Sequence, residues 1–332
     1  MVNVAFFIRH FTERGTEVAV YNYAHYNEKI LGNKSIIICF TATMQVKNFG
    51  VHFADRQSFK MFNERFQVIE INSFLEMPMI IQNNHLDFFY TLTHGGNDIY
   101  NFNDKSIWVP PCKTIKHCVF STNNKEGDFY ISIGNHINKE NKCKVIPHIV
   151  DFPEINMESQ NLREELNIPN NAFVFGRHGG KDTFNINFVK NAIINVLNLC
   201  PEFYFVFLNT PEFYKHPRIK YVEMNMDLSH KVRFINTCDA MIHARGDGET
   251  FGLAVAEFSF MNKPVFTCNV CVEREHINIL GEKAVLYNDY DDLMNKFLNV
   301  HQIIKSQKNW NAYENYSPEI VMNLFNEHIL RH

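Results

Sequence analysis

Glu249 and Glu257 stand eight positions apart in the segment Gly248-Glu249-Thr250-Phe251-Gly252-Leu253-Ala254-Val255-Ala256-Glu257. A helix starting near Gly252 leaves Glu249 in the preceding loop and carries Glu257 in its third turn. Eight helical residues rise by about 12 Å, beyond the roughly 5–9.5 Å that separates paired catalytic carboxylates acting on one bond. The spacing suits two anchors at opposite ends of one elongated ligand. The first amides of such a helix lack intrahelical partners and offer an anion site between the anchors. A carboxylate facing a vicinal diol accepts two charge-assisted hydrogen bonds, so each anchor suits a hydroxyl-rich group. On an exposed helix Glu257 would be an ordinary solvated carboxylate. Here Leu253, Val255, Ala256 and Phe258 make the helix apolar and buried. A buried carboxylate is costly without a partner, so Glu257 needs a ligand hydroxyl or a nearby donor.

Three further groups of residues could serve the same ligand. In Phe173-Val174-Phe175-Gly176-Arg177-His178-Gly179-Gly180-Lys181, an apolar strand runs into two cations and two glycines. Arg177 offers a fork of donors for phosphate oxygens, Lys181 a mobile point charge, and the glycines a close backbone approach. A solvated turn bearing two cations is the plainer alternative. Arg245 ends Cys238-Asp239-Ala240-Met241-Ile242-His243-Ala244-Arg245, where a phosphate contact competes with an ordinary exposed arginine. His94 follows a strand in Thr91-Leu92-Thr93-His94-Gly95-Gly96-Asn97-Asp98; a ligand contact and a purely structural role both stand open.

These residues need a scaffold that places loops at strand ends, and the apolar pattern supplies one. Strands are expected at Val4–Ile8, Ser35–Phe40, Gln67–Ile71, Phe88–Leu92, Lys116–Val119, Tyr130–Ile133 and Cys143–Ile146, with a helix over Thr16–Tyr26. The Pro147–Pro153 stretch has two prolines and no helical period, and reads as a linker. Beyond it, strands at Ala172–Gly176, Phe203–Leu208, Ile219–Val222, Ala240–His243, Pro264–Thr267 and Ala284–Leu286 alternate with helices at Phe188–Leu199, Ser229–Thr237 and Gly252–Met261. Ser317-Pro318 opens a last helix, Glu319–Leu330. This is an α/β pattern of doubly wound units, whose ligands bind beyond the carboxyl ends of the strands.

The motif blocks resemble the retaining glycosyltransferases of the GT-B fold, the GT4 family and its relatives, whose signature is a pair of glutamates separated by seven residues. Val145-Ile146-Pro147-His148-Ile149-Val150-Asp151 is similar to the "vIPNGVD" segment that opens the family's second domain, with His-Ile for Asn-Gly. Leu162–Pro169 is like "lR..lgip", Arg177 to Lys181 like "GR…K", and Cys238–Arg245 like "aDvfv.PS". Asn262-Lys263-Pro264-Val265-Phe266-Thr267 is like "G.PVvat", and Glu275 lies near the family's "E.i". The loop Arg9–Glu17 resembles the family's glycine-rich "GG.e" loop, keeping only Gly15.

The resemblance implies two Rossmann-like domains facing a central cleft. The acceptor-side domain would span 1–148 and the nucleotide-sugar domain 149–316, with 317–332 a helix packing back on the first. It implies a UDP- or GDP-linked sugar donor and a glycan, lipid or protein-linked acceptor. Glu249 and His94 would contact the donor sugar, Glu257 the ribose hydroxyls, and Arg177 and Lys181 the diphosphate. Phe251, Gly252 and Leu253 would present their amides, with Arg245 and Gly15 also near the donor. Neither glutamate is the nucleophile in that scheme; the departing phosphate assists the acceptor's proton on the same face. No metal or other cofactor is expected. Sugar-nucleotide epimerases or hydrolases of the same fold, and a non-catalytic nucleotide-sugar-binding module, are the rival classes. An NAD-dependent dehydrogenase is disfavoured, because the first strand–helix turn lacks Gly-x-Gly-x-x-Gly.

The whole chain agrees with these expectations. Its 332 residues suit two domains, with 45% hydrophobic and 20% charged residues. A net charge of −4 argues against a nucleic-acid partner. No signal peptide and no apolar run of membrane-spanning length is seen, so a soluble cytoplasmic protein is expected. Peripheral membrane contact stays open, although no basic amphipathic helix announces it. Eight scattered cysteines read as reduced thiols, and the Cys268–Cys271 spacing, lacking a second pair, reads as chance.

Overall fold

The computed structural model describes residues 1–12, 15–138, 143–151, 160–223 and 228–332. They form two compact units, Met1–Ile149 with Tyr316–His332, and Val150–Asn315. The sequence boundary at 148/149 thus falls one residue from the observed one.

The first unit is a seven-stranded parallel sheet of β1 (Asn3–Ile8), β2 (Lys34–Phe40), β3 (Gln67–Ile71), β4 (Phe88–Thr93), β5 (Lys113–Cys118), β6 (Phe129–Ser132) and β7 (Lys144–Val145). Its order is β3-β2-β1-β4-β5-β6-β7, so the chain reverses direction across the sheet between β1 and β4. Helices α1 (Gly15–Lys29), α2 (Ala42–Phe49), α3 (Arg56–Arg65) and α4 (Met77–Asn84) connect the strands. Val4 to Ile8 are all buried, as a strand covered on both faces requires. Residues of β1, α1 and β4 form one core on one face, and Ala5, Phe7, Ile36, Phe89 and Trp108 form another.

β5 departs from the sequence expectation of Lys116–Val119. It begins three residues earlier, at Lys113, because Lys113 and Thr114 break the apolar run ahead of Ile115 although Thr114 and Ile115 are wholly buried. His117 is satisfied by the Tyr90 hydroxyl at 2.8 Å and the Ile146 carbonyl at 2.8 Å. Lys116 Nζ meets Asp98 at 3.1 Å and donates to the Gly96 carbonyl at 3.1 Å.

The second unit is a six-stranded parallel sheet of β8 (Phe173–Arg177), β9 (Phe203–Leu208), β10 (Ile219–Val222), β11 (Ala240–His243), β13 (Val265–Cys268) and β15 (Ala284–Tyr287). Two short strands, β12 (Gly248–Glu249) and β14 (Glu273–Arg274), pair apart from it. The main order is β10-β9-β8-β11-β13-β15, with the reversal between β8 and β11. The helices are α5 (Asn187–Leu199), α6 (Leu228–Thr237), α7 (Leu253–Phe260), α8 (Glu275–Leu280), α9 (Tyr290–Leu298) and α10 (Val300–Lys305). A phenylalanine-rich core joins α5, β8, β9 and α9 through Phe175, Phe205 and Phe297.

The chain then returns to the first unit. Ser317 caps α11 (Pro318–Phe325) by accepting from the Ile320 amide, and Pro318 fits the first turn. Val321, Met322 and Phe325 join the core formed with β1 and α1, and a π-helical turn, Asn326–Leu330, ends the chain.

Candidate functional site

The second unit gathers most of the predicted residues at the carboxyl ends of β8 and β11, the strands flanking its reversal. That is where open α/β sheets bind ligands. The loops leaving the two strands are tied together: Asn185 donates its amide to the Ala244 carbonyl at 3.0 Å, and its side chain accepts from the Gly246 amide at 2.9 Å.

Glu249 is positioned by backbone geometry. Gly248 has φ +71°, and a Cβ there would lie 1.8 Å from the Glu273 carbonyl oxygen, so only glycine lets β12 approach β14 this closely. Arg245 donates to Glu249 Oε2 at 2.8 Å, and His243 Nε2 lies 3.5 Å from Oε1. Burial pushes the Glu249 carboxyl upward, yet His243 and Arg245 draw it below the ordinary carboxylate range. Arg245, read from sequence as a donor contact, is thus the ion-pair partner of Glu249.

Glu257 lies on α7, which begins after Gly252 in a left-handed conformation, φ +80°. Phe251 is core: its ring packs edge-on against Tyr313 and its carbonyl accepts from the Tyr313 hydroxyl at 2.9 Å. Leu253 is the first helical residue, so its amide has no intrahelical acceptor. Glu257 is 6% exposed and answers its burial with protein donors. Lys231 of α6 lies 2.5 Å from Oε1, and His178, just beyond β8, 2.9 Å from Oε2. Burial raises the Glu257 carboxyl, but Lys231 and His178 more than offset this and bring it to about 2. His178 itself is held below the usual imidazole range by burial, against the pull of Glu257.

Arg177 and Lys181 have separate environments. Arg177, only 3% exposed, donates to the carbonyls of Asn209 at 3.1 Å and Gly180 at 2.7 Å. It also donates to the hydroxyls of Thr210 at 2.5 Å and Thr183 at 2.6 Å. Burial lowers its guanidinium to about 10. Its donor fork therefore clamps the loop that carries Lys181, and Lys181 is exposed.

His94 and Gly15 belong to the first unit. His94 follows β4, is exposed, and stacks on Phe120 with centroids 5.0 Å apart. Its carbonyl accepts from the amides of Phe120 at 3.1 Å and Ser121 at 3.0 Å. Gly95, at φ +94°, would place a Cβ 1.7 Å from the Ser121 carbonyl oxygen. Gly15 is the first residue of α1; Glu13 and Arg14 of the predicted loop lie outside the described residues. Nearby, His10 meets the buried Glu17 at 2.9 Å.

Sequence reasoning did not single out Lys231, His178, His243, Thr267 or His276. His178 was visible beside Arg177. The other four carry no local signal, because each meets its partner only after the strands and helices assemble. Among the described residues, no group of three metal-ligating side chains comes together and no helix is long and apolar enough to cross a membrane.

No protein-family model matches the sequence, and no curated protein sequence matches it. Solved structures do match over the whole chain. A glycosyltransferase from Rickettsia africae ESF-5 aligns with TM-score 0.70 and 15% identity, covering 100% of this chain and 99% of that one. Anabaena HepE in complex with UDP and glucose aligns with TM-score 0.72 and 13% identity, covering 100% of both chains. A Listeria monocytogenes protein assigned as a UDP-N-acetylglucosamine 2-epimerase aligns with TM-score 0.61 and 12% identity, covering 100% and 97%. Two doubly wound α/β units with parallel sheets, matched end to end by such structures, give this chain the fold of the GT-B glycosyltransferases.

Proposed function

We propose that the protein is a retaining, GT4-like glycosyltransferase that moves a sugar from a UDP- or GDP-linked donor to a glycan, lipid or protein-linked acceptor. The observation that carries this reading is the pair of carboxylates around α7. Glu249 precedes the helix and Glu257 lies within it; Glu249 is braced by Arg245 beyond β11, and Glu257 by His178 beyond β8 and Lys231 on α6. In this reading Glu249 orients the donor sugar and Glu257 takes the ribose hydroxyls. The first amides of α7 and the exposed Lys181 face the diphosphate, and Arg177 holds the loop bearing Lys181.

The chemistry is electrostatic. Negative charge grows on the leaving diphosphate, and preset amides and a lysine stabilise it without reorganising. No metal is required. The departing phosphate oxygen takes the acceptor's proton on the face from which it leaves, so configuration is retained.

A second reading, a sugar-nucleotide epimerase or hydrolase, draws support from the likeness to the Listeria protein. One experiment separates the two. UDP- and GDP-sugars are incubated with and without oligosaccharide or lipid-linked acceptors, and nucleoside diphosphate release and the product anomer are followed by NMR. Acceptor-dependent release with retention supports the transferase. Rapid conversion of the donor alone supports the second reading.

A further inference from the structure

Glu249 is braced by more than Arg245, and the bracing runs inward through His243, Thr267 and His276. His243, at the end of β11 and 7% exposed, faces Glu249 Oε1 with Nε2 at 3.5 Å. Its Nδ1 lies 2.9 Å from Thr267 Oγ1, on β13. The same hydroxyl lies 3.0 Å from Nε2 of His276, on α8. Thr267 and His276 are both wholly buried. The His243 carbonyl is fixed from the far side by the Tyr287 hydroxyl at 2.6 Å, and the two imidazoles pack edge-on at 4.9 Å.

A hydroxyl has one proton to give and lone pairs to receive. Standing between two imidazoles, Thr267 must donate to one ring and accept from the other. Burial and the neighbouring His243 lower His276 to about 3, so it is neutral and holds a single N–H. Its Nδ1 meets no hydrogen-bond partner among the described residues, so the N–H is placed on Nε2, which faces the Thr267 hydroxyl. His276 therefore donates Nε2–H to the Thr267 hydroxyl oxygen. Thr267 in turn donates its hydroxyl proton to His243 Nδ1, which fixes the ring plane and leaves Nε2–H to face the carboxylate. One chain of contacts thus ties the side chain of Glu249 to the core.

We propose that His243 is a positioning residue for Glu249, aimed by the Thr267–His276 pair, and that it sets how the donor sugar is presented for transfer. With His243 at Oε1 and Arg245 at Oε2, the carboxylate cannot rotate, and its remaining lone pairs keep one direction for the sugar hydroxyls. The nucleotide end of the donor, assigned to Glu257, is untouched. This proposal rests on the glycosyltransferase reading.

The test uses the full chain with UDP-glucose and GDP-mannose as probes. Nucleoside diphosphate release gives kcat and KM, and calorimetry gives the affinity for UDP and GDP alone. His243→Ala and the near-isosteric Thr267→Val should each lower kcat about tenfold or more, the loss expected when one charge-assisted contact is released. Affinity for the free nucleotide should stay within about twofold of wild type. Thr267→Ser, which restores the hydroxyl, and His243→Gln should recover part of the rate; a merely structural role would not track the hydroxyl in this way. Thr267→Val keeps the test decisive should His243→Ala fail to fold. Wild-type turnover preserved within about twofold in folded Thr267→Val overturns the proposal alone. No binding and no turnover of either donor by wild type overturns the functional reading, and the proposal with it.

Discussion

Lys231 Nζ lies 2.5 Å from Glu257 Oε1, joining α6 to α7. The contact answers the demand made by a carboxylate on an apolar helix. It also ties the carboxylate assigned to the ribose to the packing of the unit, so ligand binding and stability are linked there.

That link has a pH signature. The folded-state value of Glu257, about 2, lies below its unfolded value near 4.5. A depressed carboxylate contributes stability that is fully present above the unfolded value and is lost as pH falls through the folded value. The contribution is roughly 3 kcal/mol at neutral pH. In urea melts, wild type should exceed Glu257→Gln in stability at pH 7, and the gap should close between about pH 5 and pH 2. A gap independent of pH over that range would show that the ion pair is not its source.

Arg177 and Lys181 should separate cleanly. Arg177→Met removes a charged donor from the carbonyls of Asn209 and Gly180 and should cost about 1–3 kcal/mol. Lys181→Ala removes an exposed charge and should leave the melting temperature nearly unchanged while weakening nucleoside diphosphate binding about tenfold. Calorimetry and thermal denaturation of both variants check this. Equal thermal stability of the two variants would count against the clamp assigned to Arg177.

Gly248→Ala should disrupt the site from the backbone. Its Cβ would collide with the Glu273 carbonyl at a positive φ, forcing β12 away from β14 and moving Glu249. The expected cost is roughly 1–3 kcal/mol, with loss of donor turnover. Gly281→Ala has no neighbouring atom within reach and an equally positive φ, so it controls for backbone strain alone.

In the first unit, Lys116→Met should be severe. It strands Asp98, 3% exposed, without the ammonium beside it, and removes a donor from the Gly96 carbonyl. A loss of about 3–5 kcal/mol is expected for breaking such a buried pair, read by chemical denaturation. The paired change of Lys116→Met with Asp98→Asn should recover part of it.

Most strands could be read from the sequence because both sheets are parallel and covered on both faces, which writes each strand as an unbroken apolar run. β9, β10 and β11 fall on the expected residues. β5 was expected three residues late because Lys113 and Thr114 break its apolar run, and the buried Thr114 is satisfied by Asp128, fourteen residues on. The carboxylates of the site were equally legible, since their spacing lies within one loop and helix. Their partners were not. Lys231 and His178 reach Glu257 across 26 and 79 residues, and a pairing of that range leaves no periodic trace. Arg177 was found by its neighbours, but its role as a loop clamp depends on Asn209 and Thr210, which arrive from the next strand's end.

The central claim, that the second unit holds a nucleotide-sugar donor between Glu249 and Glu257, is tested most directly by ligand-induced stabilisation. Wild type, Glu257→Gln and Lys181→Ala are melted with UDP, GDP, ADP and CMP and their common sugar conjugates. A ligand at 100 times its Kd adds about 2.7 kcal/mol to the folded state. The account predicts a clear shift with UDP or GDP compounds that is lost in Glu257→Gln and about halved in Lys181→Ala. Folded wild-type protein that no nucleotide stabilises would contradict it.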